Sequence, residues 1–549
     1  MKRDPREPKN ISLDEGGHGV VMPVVCFLKR PWVLFGVVLL VSACCKLLSL
    51  NSRELWLDET YSAFVANLPL AELPRHLAGE YNPPFFYILL WAWVHIVGDV
   101  QAHLRLFSVV LNICSMFGMY VLARRMLGAR FGALAAVLFA FSPMLFVYSL
   151  EVRNYMLFIL IFICLLVIHW MVAIERREEK WLILAYGILA ALLFYTSYIA
   201  VFILLGLCVH GIIASGFDRG RLGKLCVTGI LIIVFIAPGI PALLERNSMK
   251  THLGQALALS HQNANSLSFG VSKQESAALA GTGIKGMAKS AAAASGLYPS
   301  SSPFLLLLCA LPLVFALAGA VYLGVAKGDE ACRLFGILLI AVGIGLVVLH
   351  LYATRYMLPV VPLLVIAIAR AVQYGRERLQ WRVFGLAVGV MIFCLYSAGF
   401  FRQVFFEHGR PWQNLVGAIQ QNYRPGDEVI FDVLYSQVPF DYFAQQANFQ
   451  PQETGFPISI YDWWNKQSNK AWGGPVITNT DLNDFVSGLS SSRPKRLWLV
   501  LYETYYYDPH EELLDRLHQL GQVTEVHLPP DRDKPDKQET LRLFRIALQ

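Results

Sequence analysis

Charge is what this chain is short of. Asp, Glu, Lys and Arg make up only 15% of its 549 residues, where a water-soluble domain carries about a quarter. A large soluble enzyme core is excluded on that ground. Several catalytic signatures are missing too. There is no GxxxxGK[ST] run, which excludes a P-loop nucleotide site, and no HExxH or ordered Cys/His spacing, which excludes the common zinc sites. The ten cysteines show no CxxC pair and none follows Cys394, so they read as thiols buried in apolar segments rather than a disulfide framework. Gly281-Thr282-Gly283-Ile284-Lys285-Gly286 fits GxGxxG, but small residues surround it and no strand precedes it, so a dinucleotide site is set aside. The net charge of +7 is spread among short loops; it speaks to membrane orientation rather than to nucleic acid.

What the chain does have is long apolar runs. It is 56% hydrophobic with mean hydropathy +0.48. Runs such as Trp32–Ser42, Asn154–Ile174, Leu182–Phe194, Val227–Pro238, Phe304–Tyr322, Leu334–Tyr352 and Val383–Tyr396 reach the roughly 20 residues of a membrane span once their flanks are added. Residues 1–30 read as a polar cytoplasmic tail with no cleavable signal. Basic loops at Lys29-Arg30, Arg124-Arg125, Arg176-Arg177, Arg219 to Lys224, Lys327 to Arg333 and Arg376 to Arg382 alternate with less basic ones if they face the cytoplasm. The alternation closes with about eleven transmembrane helices, provided that 82–98 does not cross. That segment starts with Pro83-Pro84 and carries Trp91, Trp93 and His95, and it reads as a helix lying along the outer interface. The expected fold is therefore an α-helical polytopic membrane protein whose transmembrane domain spans 31–401, with outer loops at 51–103 and 246–302.

After about Phe401 the apolar runs stop. Trp412, Leu415, Val416 and Ile419 mark one face of a helix. Strands are expected at 428–432, 497–503 and 541–546, and a helix whose inner face holds Leu513, Leu514, Leu517 and Leu520. Together they predict a soluble α/β domain over 402–549, outside the membrane by parity.

Three loops carry chemistry to that same outer side. The first reads Arg53-Glu54-Leu55-Trp56-Leu57-Asp58-Glu59-Thr60-Tyr61, the second Ser149-Leu150-Glu151-Val152-Arg153-Asn154-Tyr155, and the third His350-Leu351-Tyr352-Ala353-Thr354-Arg355-Tyr356. Adjacent carboxylates in an apolar setting suit a base, and a planar guanidinium suits a phosphate. Each loop also has a plain reading, as a solvated acid pair or as an arginine anchored at head groups. Taken together they supply a base, a second acid and phosphate-binding cations, as sugar transfer from a lipid phosphate requires.

At these residues the sequence resembles the membrane glycosyltransferases of the C-type fold. The resemblance is to the bacterial branch related to dolichyl-phosphate-mannose protein mannosyltransferases and to the lipid A aminoarabinose transferase. Trp56-Leu57-Asp58-Glu59 is similar to the family's first-loop acidic motif, and Asn82-Pro83-Pro84 to a His-Pro-Pro segment. Leu104-Arg105-Leu106-Phe107-Ser108 is similar to Leu-Arg-Leu-Pro-Ser, Glu151-Val152-Arg153-Asn154-Tyr155 to Glu-Ala-Arg-x-Tyr, and Arg355-Tyr356 with Pro359 to Arg-Tyr-x-x-Pro. The departures are Asn82 for His, Phe107 for Pro, and a Tyr195-Thr196-Ser197-Tyr198 stretch without the usual His or Lys. They bear on the sugar and the acceptor more than on the reaction class.

The resemblance implies an inverting transferase in the cell membrane, a bacterial inner membrane, that uses a polyprenyl-phosphate sugar. Asp58, Glu59 and Glu151 would be the catalytic acids. Arg53, Tyr61, Asn82, Arg105, Arg153, Tyr155, His350, Tyr352, Arg355 and Tyr356 would contact substrate. The acceptor would be a lipid, glycan or protein hydroxyl, with membrane lipids as the other partners. No cofactor is assigned, and a divalent cation, Mg or Mn, stays open. The alternatives are a lipid-linked-glycan flippase, a ligase or polymerase using diphosphate-linked donors, and a non-catalytic scaffold.

Overall fold

The computed structural model describes residues 31–77, 82–241, 318–319, 321–348, 354–377, 382–405, 411–462, 479–492, 494, 496–502, 504, 508, 511–529 and 541–548. The tail 1–30, the loop 246–302 with its glycine run 281–286, and His350 and Tyr352 lie outside them.

The amino-terminal part is a helix bundle. Its elements are α1 (Pro31–Leu48), α2 (Leu57–Asn67), α3 (Phe85–Val97), α4 (Gln101–Ala140), α5 (Pro143–Ser149) and α6 (Tyr155–Ala173). They are followed by α7 (Lys180–Phe194), α8 (Ala200–Ser215), α9 (Arg219–Ile236), α10 (Glu330–Val348), α11 (Val360–Glu377) and α12 (Arg382–Val404). Among the described residues, five helices are long and apolar enough to cross a membrane: α1, α4, α6, α10 and the segment Arg219–Gly239 that contains α9. Their outward faces are apolar, with Val227, Ile230, Ile233 and Val234 of α9 more than half exposed. Such a surface is at odds with water and suits lipid.

Helix boundaries follow from local chemistry. Ser142 caps α5, its Oγ accepting from the Leu145 backbone N–H, with Pro143 at the first helical position. Asp218 caps α9 through the Arg221 N–H at 3.0 Å. Helix α4 is broken at Gly128, whose φ of +80° only glycine adopts readily. The two arms double back so closely that a Cβ on Gly132 would lie 2.6 Å from the Arg124 backbone nitrogen. The basic loop expected at Arg124-Arg125 is this hairpin turn. The 13 residues of α3 extend about 20 Å, short of the roughly 30 Å hydrocarbon core. Its two indole N–H groups donate to the carbonyls of Leu68 and His103, at 3.0 and 2.9 Å, tying α3 to the loop after α2 and to the start of α4.

The carboxyl-terminal part is an α/β unit. It comprises α13 (Pro411–Asn422), β1 (Asp427–Asp432), α14 (Gln437–Gln446), β2 (Gln452–Gly455), α15 (Asn479–Ser492), β3 (Arg496–Leu501), α16 (Glu512–Leu520), β4 (Gly521–Val526) and β5 (Arg542–Leu548). The sheet order is β2-β1-β3-β5-β4, with β1 parallel to β2 and β3, and β5 antiparallel to β3 and β4. Strand β1 is buried along its whole length, as a central strand covered on both faces should be. Its side chains alternate: Val429 and Phe431 join Trp412, Leu415 and Phe440 in a core continuous with the bundle, while Ile430 packs with Leu482, Leu513 and Leu517 on the other face. One face of the sheet thus shares its core with the bundle, and the other has a core of its own.

Candidate active site

The first loop is pinned before it reaches Asp58. Arg105 of α4 is wholly buried and its guanidinium donates to the carbonyls of Leu50, Arg53 and Glu54 at 3.0, 2.5 and 2.7 Å. The same group pairs with Glu59 at 3.1 Å. Glu59, also wholly buried, accepts from the Trp56 backbone N–H at 3.2 Å, closing the start of α2, and from the Val152 N–H at 3.0 Å. One carboxylate therefore joins the first loop, α4 and the turn that carries Glu151. Glu59, Tyr61 and Arg105, expected to touch substrate, have no open face. Tyr61 is 2% exposed and donates its hydroxyl to the His76 carbonyl. Burial with all donors and acceptors committed makes the three an internal frame.

Asp58, next in sequence to Glu59, points the other way. Its side chain keeps 25% of its surface, against 9% for Glu151 and none for Glu59, so Asp58 is the carboxylate of the three that a substrate can reach. Arg153 stands 3.6 Å from it, too far for a hydrogen bond, which leaves the carboxylate oxygens open. Arg153 is held by the Tyr87 hydroxyl at 3.1 Å and reaches the Ser62 hydroxyl at 3.5 Å.

Glu151 sits behind this pair. Ser108 of α4 fixes its backbone, donating to the Glu151 carbonyl at 2.7 Å, and Arg53 approaches its carboxylate to 3.5 Å. Its second oxygen is buried with no hydrogen-bond partner among the described residues. Burial pushes the Glu151 pKa from 4.5 up to about 7, against the pull of Arg53. Between pH 4.5 and 7 the folded chain keeps a proton that the unfolded chain has lost, so stability falls as pH rises through that window and levels off above it. The loss is on the order of 3 kcal/mol for a shift of this size. The melting temperature of the wild type is expected to drop between pH 5 and pH 7.5 more than that of Glu151→Gln; parallel drops would refute the shift.

Arg355 enters from the third loop, on a short 3-10 turn (Thr354–Met357). Its guanidinium lies over the Trp56 and Tyr356 rings, 6.0 and 5.4 Å from their centroids, and acts electrostatically on both Asp58 and Glu151. Residues about 100 and 300 positions apart thus meet at one end of the bundle. Beside Arg355 a groove of about 340 Å³ opens, lined by Asn82, Tyr155, Ser197 and Tyr356 among others. Asn154 ties its walls together, donating to the Asn82 side chain at 3.2 Å and to the Thr196 carbonyl at 2.7 Å. Apolar walls with one cation and several amide and hydroxyl groups suit an amphiphile with an anionic head.

Sequence reasoning missed three participants. Trp56 is the platform for Arg355, and it stands inside a quoted motif, which was the available signal; Tyr87, the prop for Arg153, lies three residues past the Asn82-Pro83-Pro84 piece. Glu54 had none. Its carboxylate accepts from the backbone N–H groups of Trp412 and Gln413, at 2.9 and 2.8 Å, so a first-loop acid caps α13, the helix that opens the carboxyl-terminal part. The Tyr442 hydroxyl adds a bond to the Asp99 carbonyl at 3.2 Å, and the Tyr461 ring lies 5.6 Å from that of Phe64 on α2.

The architecture is that of the C-type membrane glycosyltransferase fold. The chain matches the crystal structure of ArnT from Cupriavidus metallidurans in the apo state with a TM-score of 0.56 at 13% identity, covering 94% of this chain and 97% of that one. The same enzyme bound to undecaprenyl phosphate matches with a TM-score of 0.53 at 14% identity, again over 94% and 97%. The Archaeoglobus fulgidus oligosaccharyltransferase in complex with zinc and sulfate matches with a TM-score of 0.52 at 12% identity, over 90% and 72%. In sequence, residues 81–243 match the model of the family described as dolichyl-phosphate-mannose-protein mannosyltransferase. No curated protein is significantly similar in sequence. The resemblance read from the ordered motifs is therefore met twice, by the fold and by a sequence match that includes the Asn82, Arg105 and Glu151 to Tyr155 pieces.

Proposed function

We propose that this protein is a membrane glycosyltransferase that moves a sugar from a polyprenyl-phosphate donor to an acceptor hydroxyl on the outer side of the membrane, with inversion. The observation that carries this reading is the open Asp58 carboxylate beside Arg153, in electrostatic reach of Arg355, which lines the groove. The fold supports it, since one of the matching structures is bound to undecaprenyl phosphate. The outer placement is supported by charge: Arg124 and Arg125 lie at the hairpin turn of α4, and Arg176 and Arg177 just past the end of α6, away from Asp58, as the bias of basic residues towards the cytoplasm requires. About eleven spans, with the carboxyl-terminal α/β unit outside, fit this orientation.

In the proposed reaction the donor's lipid tail stays in the bilayer and its phosphate lies against Arg355. Asp58 takes the proton of the acceptor hydroxyl as that oxygen attacks the anomeric carbon. The bond from that carbon to the phosphate oxygen breaks on the opposite face, and polyprenyl phosphate leaves with its charge held by Arg355 and Arg153. Glu59 and Arg105 act as positioning residues that set the angle of α2. Glu151 orients Arg53 and is the second acid of the site. Glu59 and Glu151 each face a guanidinium, while the Asp58 oxygens stay open; no group of three or more acids, histidines and cysteines stands together among the described residues. No step runs through a metal.

The test is a transfer assay with the full-length protein in proteoliposomes, radiolabelled polyprenyl-phosphate sugar and a cell-envelope acceptor fraction. Label is expected to pass from the lipid to the acceptor while polyprenyl phosphate accumulates. Label that crosses the bilayer still attached to the lipid would identify a flippase and overturn the reading.

A further inference from the structure

The end of the bundle opposite Asp58 holds a second pocket. Helix α6 runs from Tyr155, at the groove, to Ala173, and its 19 residues cover about 28 Å, close to the thickness of the hydrocarbon core. Where α6 ends, a pocket opens between the last turns of α6 and α8 and the first turns of α7 and α9.

Its lining is divided by polarity. The floor is apolar, with Val172, Ala173, Ile183 and Leu225, and the rim carries Arg176, Arg177, Arg221 and Lys224 against one carboxylate, Glu178. Lys224 is engaged with Glu178 at 2.5 Å, and Arg177 with Glu175 and Glu179 at 3.4 and 3.8 Å. Arg176 and Arg221 have no ion-pair partner among the described residues; the Arg221 guanidinium donates to the Ser215 carbonyl, at 3.2 Å. Room on the floor depends on Gly211, where a Cβ would stand 3.0 Å from the Leu225 side chain. The pocket also adjoins α9, whose exposed outer face is apolar.

We propose that this pocket is a binding site for an anionic phospholipid, separate from the transfer site. The phosphate of the head group sits between Arg176 and Arg221, with Lys224 beside it, and the first part of an acyl chain follows the floor past Ala173 and Leu225. Four cations against one carboxylate, two of the cations without an ion pair among the described residues, favour an anion. An apolar floor beside the apolar outer face of α9 favours a lipid over a soluble phosphate, and basic pockets between helices at the cytoplasmic interface are suited to such head groups.

Native mass spectrometry of the full-length protein tests this, using phosphatidylglycerol, phosphatidylcholine and inorganic phosphate as the three probes. One phosphatidylglycerol is expected to stay bound under activation that strips phosphatidylcholine. The double variant Arg176→Gln/Arg221→Gln should hold it roughly 30-fold more weakly, whereas Arg176→Lys/Arg221→Lys should retain it, which separates lost charge from lost fold. Ala173→Phe, which fills the floor, should weaken both lipids. Equal retention of the two lipids, or glutamine and phenylalanine variants that bind like the wild type, would overturn the proposal. So would displacement of phosphatidylglycerol by millimolar inorganic phosphate, which would mark a soluble-anion site. Because the readout is lipid retention, the outcome does not depend on transferase activity.

Discussion

Asp58→Asn will give a folded protein that transfers sugar about 10²–10⁴-fold more slowly than the wild type, the range in which a positioned base usually contributes. The amide has the shape of the carboxylate, and its oxygen can still face Arg153, now 3.6 Å away; what it cannot do is take the acceptor's proton. Donor binding should survive, because the groove beside Arg355 and Tyr155 does not use Asp58. The expected pattern is a fall in kcat with little change in the donor KM, measured as initial rates in proteoliposomes. Glu151→Gln should fall much less, since Glu151 is buried behind Arg53. Wild-type turnover by Asp58→Asn would remove the base from the mechanism.

Breaking the buried pair behind the site should have the other large effect, on folding rather than on chemistry. Arg105→Met leaves Glu59 charged in a wholly buried position and removes a donor from three loop carbonyls, of which those of Leu50 and Arg53 keep the Gln101 amide. Removing one partner of such a pair typically costs about 3–5 kcal/mol, enough to consume much of the stability of a typical protein. Thermal unfolding in detergent should show a sharply lowered midpoint. Activity should fall with the folded fraction and not with the rate of the molecules that remain folded. Glu59→Gln should be milder, since its amide oxygen still accepts from Trp56 or Val152. If Arg105→Met were as stable as the wild type and lost only donor affinity, Arg105 would be a substrate ligand after all.

Much of this site was legible because its chemistry is local. Glu151, Arg153 and Arg355 stand in short polar turns next to long apolar runs, and Asp58 in the first turn of α2; side chains there must either anchor or react. The helix over 411–422 was legible from Trp412, Leu415, Val416 and Ile419, and all four are buried as that spacing requires. The partners were not legible. Arg105 carries charge in a motif, which invites a ligand role, yet its carboxylate partner lies 46 residues away and its environment is a core that composition does not reveal. Glu54 meets α13 across 358 residues, a pairing no local pattern encodes. Strands β2 and β4 were missed for a different reason. Gln452-Glu453-Thr454-Gly455 has no apolar alternation, and it is a strand because β1 offers it a ladder; β4 in the same way is held by β5 at the sheet edge. The turn at Gly128 was legible as a basic loop, while the close return of its two arms depends on Gly132, whose lack of a side chain matters only once the arms are folded.

The account rests on one place where a lipid phosphate and a proton acceptor face each other. A cryo-electron microscopy map of the full-length protein with polyprenyl phosphate bound tests it most directly. It should show the phosphate in the groove beside Tyr155, its oxygens about 2.7–2.9 Å from the Arg355 guanidinium, with the Asp58 carboxylate open on the same side. A phosphate held at the opposite end of the bundle, or an Asp58 closed off behind packed side chains while the lipid is bound, would contradict it.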